Sequence, residues 1–197
     1  MPRLLVIAGS DSSAGAGLQA DLKTAQRFGV YAQTAVTAVT VQNTLGVTAI
    51  HVMPPGIVRG QIHAALDDIG ADAIKIGMLA NAGIAAVVAD ALEETDIPVV
   101  LDPVLVSTSG SLLLEPGALE ILKHRLLPRA TLVTPNLPES EALVGILPSG
   151  DHAVHQAAQA FALLGARRVL FKGGHDKGAV VRDILTDVDA PSLVMEA

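Results

Sequence analysis

Three strings in this sequence place a charged or amide side chain directly after a short apolar run, where a side chain would leave the end of a β-strand. Asp102-Pro103-Val104 follows Val99 to Leu101, Asn136-Leu137-Pro138-Glu139 follows Thr131 to Val133 by way of Thr134-Pro135, and Lys172-Gly173-Gly174-His175 closes the run from Val169. Open α/β sheets bind ligands at the carboxyl ends of their strands. Asp102 in such a place serves a ligand, or it caps a turn. Asn136 and Glu139 set an amide and a carboxylate three residues apart at a helix start. Together they would hold a hydrated Mg²⁺ through oxygen, or they would form a capping box in which each bonds the other's backbone N–H. Lys172 and the two glycines offer an ammonium group and free backbone N–H groups to a polyphosphate. The other reading of Lys172 is an exposed lysine before a glycine turn.

A fourth string lies near the start, V-I-A-G-S-D-S-S-A-G-A-G-L-Q-A-D. Gly15 to Ala20 satisfies the G-x-G-x-x-A pattern of dinucleotide sites, but Gly15 stands well beyond Ala8, where the first strand is expected to end. That pattern also requires an acid about 20 residues downstream, and no acid occurs between Asp21 and Asp67. A phosphate-cradling P-loop is excluded because no Lys-Ser or Lys-Thr follows the last glycine. A turn that lets a helix pack closely on a strand accounts for these glycines equally well. His152 and His155 are three apart on an expected helix with no third ligand nearby, which reads as solvated histidines.

The elements that must hold these residues alternate between apolar β-branched runs and helical periodicity, the pattern of parallel strands joined by crossover helices. Strands are expected at Leu4 to Ala8, Ala35 to Val41, Val47 to Val52, Ala73 to Ile76, Val99 to Leu101, Thr131 to Val133 and Val169 to Lys172. Helices are expected at Leu18 to Phe28, from Pro54-Pro55 through Ile69, at Ala82 to Leu92, Gly117 to Leu126, from Pro138, and at Ala153 to Leu164. A Ser/Gly loop is expected at Ser107 to Ser111, and short extended pieces at Ala179 to Thr186 and Ser192 to Met195. Asp102, Asn136 and Lys172 each follow a separate strand, so they should meet on one rim of a sheet. An oxygen-ligand metal site, a phosphate-binding lysine and a glycine-rich turn on one rim are the parts of a phosphoryl-transfer enzyme without a P-loop.

The 197 residues suit one domain, 1–197, and carry 13 Lys+Arg against 20 Asp+Glu, a formal net charge of −7. That balance lacks the basic footprint of a nucleic-acid or anionic-membrane partner. Zero cysteines exclude a disulfide framework and a thiolate metal site. Phe28 to Val58 has no charged residue, yet Gln33, Gln42, Asn43, Thr34, Thr37, Thr40, Thr44 and Pro54-Pro55 break it up as a spanning helix. A cytoplasmic protein is expected. With aromatics at 2%, the core must be built from aliphatic side chains.

The strings together are identifiable. A-G-S-D-S-S-A-G-A-G-L-Q-A-D-L-K-T, V-Q-N-T-x-G-V at Val41 to Val47, K-I-G-M-L at Lys75 to Leu79, L-D-P-V at Leu101 to Val104, L-L-P-x-A-x-L-V-T-P-N-L-P-E at Leu126 to Glu139 and K-G-G-H at Lys172 to His175 run through nearly the whole chain. The chain closely resembles the hydroxymethylpyrimidine/phosphomethylpyrimidine kinases of thiamine biosynthesis, a branch of the ribokinase-like fold. The resemblance implies a three-layer α/β domain, a mostly parallel central sheet with helices on both faces. It implies an aminopyrimidine pocket lined by Gly9 and Asp21, with Gln42 on the ring and Met78 and Val104 packing on it. It further implies Asn136 and Lys172 at the nucleotide phosphates, Glu139 and Asp102 at Mg²⁺, ATP as co-substrate, and a homodimer. A glutamine amide can donate to a ring nitrogen and accept from an exocyclic amine at once.

Two departures from the family pattern stand out. Ser12-Ser13-Ala14 occupies a place where the family more usually has Pro-Ser-Gly. The family's Gly-Thr-Gly loop, whose amides form the anion hole and whose next residue is the base, is expected after Ala197, so a C-terminally truncated kinase body is expected here and no catalytic base within it. The alternatives are a pyridoxal kinase of the same fold, and a non-catalytic module that holds the aminopyrimidine.

Overall fold

A computed structural model describes residues 1–105, 114–174 and 181–196. The Ser107 to Ser111 loop, His175 and the first residues of the Ala179 to Thr186 piece lie outside the described residues. The chain divides into two compact units, residues 1–99 with 104–122, and residues 100–103 with 123–197.

The first unit is organised by β1 (Arg3–Asp11), which lies between β2 (Tyr31–Asn43) and β4 (Ala73–Ile76), parallel to both. β3 (Gly46–Val52) folds back antiparallel on β2, so the order is β3-β2-β1-β4. Leu5, Val6 and Ile7 are completely buried, as consecutive residues of a strand covered on both faces must be. Val6 and Ala8 pack with Leu18 of α1 (Gly17–Arg27) on one face. α2 (Pro55–Asp68) and α3 (Ala82–Glu93) pack on each other, and α2 covers β2. Pro55 opens α2 at a position whose N–H needs no partner, and Asn81 caps α3 by accepting from the Ile84 N–H.

β2 runs beyond the apolar stretch, Ala35 to Val41, that marks it in the sequence. Tyr31 to Thr34 are held by the register with Arg3 to Val6, which no local periodicity announces. On the side where β3 does not reach Val36, the Gln61 side chain takes its place, accepting from the Val36 N–H and donating to its carbonyl. α4 (Pro116–Ile121) is shorter than the helix expected to Leu126, because the winding widens to a π-turn at Leu122–Leu126 and tightens to a 3₁₀ turn at Leu127–Arg129. Pro128 lacks the N–H that would continue the ladder.

In the second unit β5 (Val99–Leu101) pairs through Val100 and Leu101 with β6 (Leu132–Val133), and β6 pairs with β7 (Arg168–Phe171), all parallel. β8 (Arg182–Asp187) and β9 (Ala190–Glu196) continue the order antiparallel. α5 (Leu137–Val144) and α6 (Asp151–Leu163) complete the unit, with Phe161 of α6 edge-on to Phe171 of β7. The mostly parallel sheet with helices that the resemblance implied is thus present, its antiparallel strands confined to β3, β8 and β9. Among the described residues no helix is long and apolar enough to cross a membrane.

Candidate active site

In the second unit, two backbone hydrogen bonds set the ends of three strands side by side. The Thr134 N–H donates to the Leu101 carbonyl, and the Lys172 N–H donates to the Pro135 carbonyl, both at 2.9 Å. Asp102, Asn136 and Lys172 therefore leave their strands together, as expected. Lys172 Nζ lies 2.7 Å from Asp102 Oδ1 and 3.9 Å from Glu139 Oε2. Asn136 and Glu139 form the full capping box: Asn136 Oδ1 accepts from the Glu139 N–H at 2.8 Å, and Glu139 Oε2 accepts from the Asn136 N–H at 2.7 Å. The box buries Glu139 to 6% exposure beside the lysine.

The capping reading of Asn136 and Glu139 is therefore realised, and it leaves the metal reading open. A carboxylate has about four lone-pair sites, and Mg²⁺ commonly binds through one or two carboxylates plus substrate phosphates and water. Asp102 and Glu139 on either side of one ammonium group supply that donor set. No three His, Asp or Glu side chains among the described residues gather into a cage of their own, so a Mg²⁺ here would need phosphate oxygens to complete its shell.

In the first unit the glycine-rich turn is tied by its own acid. Asp11 is 4% exposed and accepts from the Ser13 N–H and hydroxyl and from the Gly15 and Ala16 N–H groups, at 2.8–3.0 Å. Burial works against the charge, but the Ser13 hydroxyl and these N–H groups outweigh it and hold the carboxyl below its ordinary value. Amides that a phosphate would need are thus already engaged, which removes the dinucleotide reading of G-x-G-x-x-A. Gly17 instead permits close packing. Its φ is +56°, and a Cβ there would collide with the Gly9 carbonyl oxygen.

Gly9, Met78 and Val104 come together. A Cβ at Gly9 would stand 3.1 Å from Met78 Sδ, and Met78 clusters with Ala38 and Ala80, a group against which Val52 and Val104 pack. The Thr37 hydroxyl, completely buried, donates to the Met78 carbonyl at 2.6 Å and fixes this segment. On β2, the Thr40 hydroxyl lies 2.9 Å from the Ser10 carbonyl and 3.3 Å from Gln42 Oε1. Asp21 is placed on α1 with Oδ2 2.7 Å from Lys75 Nζ. Lys75 lies over Gly77, where a Cβ would come 3.2 Å from Nζ.

The sequence assigned no role to Asp11, Ser12, Lys75 or Gln19, the last of which accepts from the Asp11 N–H and donates to the Ser10 hydroxyl. Asp11 had a signal, an aspartate two residues before a serine in a glycine-rich turn. Lys75 had none, because its partner is far away in the sequence.

A family model described as phosphomethylpyrimidine kinase matches residues 11–196. The hydroxymethylpyrimidine/phosphomethylpyrimidine kinase of Mycobacterium bovis is 52% identical over 176 residues, which cover 88% of this chain and 64% of that protein. The chain thus spans 64% of the length of this curated relative. Among solved structures, phosphomethylpyrimidine kinase from Clostridium difficile 630 aligns at a TM-score of 0.90 and 40% identity over 98% of this chain and 84% of that one. A Bacillus subtilis pyridoxal kinase in an ADP complex aligns at 0.88 and 35% over 100% and 74%. Carried by the family model over nearly its whole length and by a relative at half identity, this chain belongs to the phosphomethylpyrimidine kinase family.

Proposed function

We propose that the protein phosphorylates the hydroxymethyl group of 4-amino-5-hydroxymethyl-2-methylpyrimidine, and then the resulting monophosphate, with ATP as the donor. The observation that carries this reading is the Lys172 ammonium at a strand end, 2.7 Å from the Asp102 carboxylate at a neighbouring strand end and 3.9 Å from the Glu139 carboxylate at the start of α5. That arrangement suits a magnesium nucleotide, with the lysine turning from Asp102 to a phosphate oxygen and the carboxylates facing the cation. Bound Mg²⁺ would neutralise phosphate charge as the transfer proceeds. The hydroxymethyl oxygen forms the new bond to the γ-phosphorus, the bond from that phosphorus to the β–γ bridging oxygen breaks, and ADP leaves with the bridging oxygen. The hydroxyl proton passes to a base for which this reading assigns no residue.

The acceptor side belongs to Gly9, Met78 and Val104, a slot of small and flexible apolar groups, with Gln42 as the polar reader of the ring and Asp21 at its border. Methionine adapts its shape to a flat ring. Among the solved structures, 40% identity to a phosphomethylpyrimidine kinase against 35% to a pyridoxal kinase favours the pyrimidine as acceptor. A cytoplasmic location, expected from the composition, and a homodimer, implied by the resemblance, complete the proposal.

Titration calorimetry of the 197-residue chain tests it, with the hydroxymethylpyrimidine, pyridoxal and Mg·ATP as separate ligands. The pyrimidine is expected to bind at least tenfold more tightly than pyridoxal, and ATP to bind more tightly with Mg²⁺ than without. Pyridoxal binding as tightly as the pyrimidine would overturn the acceptor assignment, and ATP binding indifferent to Mg²⁺ would overturn the metal assignment.

A further inference from the structure

β2 outruns its neighbour. The pairing of β1 with β2 ends at Asp11 opposite Thr40, whereas β2 continues to Asn43. A strand residue sends its N–H and C=O to the same side, and those of Gln42 point to the side where β1 has stopped. One side chain meets both. Ser12 Oγ accepts from the Gln42 N–H at 2.8 Å and donates to the Gln42 carbonyl at 2.7 Å. A hydroxyl has one proton to give and lone pairs to receive with, so a single oxygen supplies the rung that β1 would otherwise have provided. The same place is a bulge on the other edge, where the β2–β3 register shifts between Val41 and Gln42 and the Thr48 hydroxyl donates to the Val41 carbonyl. Without Ser12, the backbone of Gln42 would sit at an irregular strand end with no partner on the β1 side.

The side chain of Gln42 is in the opposite condition. Its Oε1 has only the long 3.3 Å approach of a Thr40 hydroxyl, which has a closer acceptor in the Ser10 carbonyl. Its Nε2 has no protein acceptor among the described residues. An amide left unspent on a backbone that is pinned in two directions is arranged for a ligand.

We propose that Ser12 is a positioning residue for the acceptor pocket: by clamping the backbone of Gln42 it fixes the direction in which the Gln42 amide meets an aminopyrimidine. The inference rests on the reading of Gln42 as the ring contact. Ser12 touches no substrate; it acts through Gln42 alone, and any side chain that can both donate and accept at that distance should serve. Threonine can, and alanine cannot.

The test is the dissociation constant of the 197-residue chain for 4-amino-5-hydroxymethyl-2-methylpyrimidine, measured by calorimetry for Ser12→Ala, Ser12→Thr, Gln42→Leu and the Ser12→Ala/Gln42→Leu pair. Ser12→Ala is expected to weaken binding by about 3- to 10-fold, the worth of one ordinary hydrogen bond. Ser12→Thr is expected to stay within about twofold of the wild type, and Ser12→Ala to add nothing once Gln42 is leucine, since coupled groups do not add. Binding by Ser12→Ala equal to wild type, while Gln42→Leu is weakened, overturns the inference and leaves the pocket assignment standing. A Ser12→Ala effect that persists in full beside Gln42→Leu also overturns it, because Ser12 would then act elsewhere. Wild-type affinity in Gln42→Leu, or no pyrimidine binding by the wild type, removes the reading of Gln42 and the inference with it.

Discussion

Replacing Asp11 with asparagine should show how much of the first turn depends on one carboxylate. Oδ2 of Asp11 accepts from the Gly15 and Ala16 N–H groups, while Oδ1 accepts from the Ser13 N–H. Asparagine keeps one acceptor oxygen and puts an NH₂ where the other was, so at least one set of N–H groups faces a donor. The N-cap of α1 is Ala16, which has no capping side chain, so no second acceptor stands ready. A hydrogen bond to a charged group is worth roughly 1.5–3 kcal/mol. Gly15 and Ala16 are exposed, so water recovers part of that for the two bonds lost. The net loss is then about 2–3 kcal/mol, at or above the upper end of what removal of a helix cap costs, and a fall in melting temperature of about 4–12 °C at this chain length. Thermal melts of Asp11→Asn and wild type at neutral pH measure it. The pH dependence follows with a definite sign. The Asp11 carboxyl lies below its ordinary value in the folded state, so its contribution is complete above the unfolded value of about 3.9 and is lost as pH falls through the lower folded value. The gap between wild type and Asp11→Asn should therefore close in acid. A variant within about 0.5 kcal/mol of wild type at neutral pH would refute the claim that this carboxylate holds the turn.

Three further outcomes are expected. Glu139→Gln should weaken Mg²⁺-dependent ATP binding by calorimetry more than it lowers stability, whereas a pure capping role predicts a loss of about 0.5–2 kcal/mol in folding with normal Mg·ATP affinity. Gly173→Ala should destabilise the second unit by about 1–3 kcal/mol, the usual cost of overpacking, because its Cβ would collide with the Arg182 carbonyl oxygen; urea unfolding measures it, and an unchanged midpoint would contradict the close approach of Lys172-Gly173 to β8. Arg3 holds the Asp72 carboxyl down to about 2 by bonding it through its guanidinium and its N–H, so this pair contributes stability above about pH 3.9 that disappears as pH falls towards 2. Asp72→Asn should flatten the stability profile in that window and leave the neutral-pH pyrimidine affinity unchanged.

The composition and periodicity of the chain determined its α/β class, the order of its strands along the chain, and the three strand ends that carry Asp102, Asn136 and Lys172. Those are local facts, since apolar β-branched runs, proline at helix starts and polar residues after strands act within a few positions of each other. The capping box was equally legible, being written in four consecutive residues, Asn136 to Glu139, and the packing role of Gly17 was one of two readings its string allowed. What the sequence left undetermined depends on pairs far apart. Lys75 reaches Asp21 across 54 positions, and Lys172, expected only on the same rim as Asp102, bonds it across 70; no periodicity pairs such residues, because a strand specifies its faces and not its neighbours. Tertiary structure also decided that β3, β8 and β9 run antiparallel, that Asp11 spends the amides of the glycine turn on itself, and that β2 continues past the end of β1. That overhang is why the Ser12 hydroxyl meets the Gln42 backbone at all. A serine in a loop has many possible partners; only the point at which one strand stops and its neighbour goes on selects one of them.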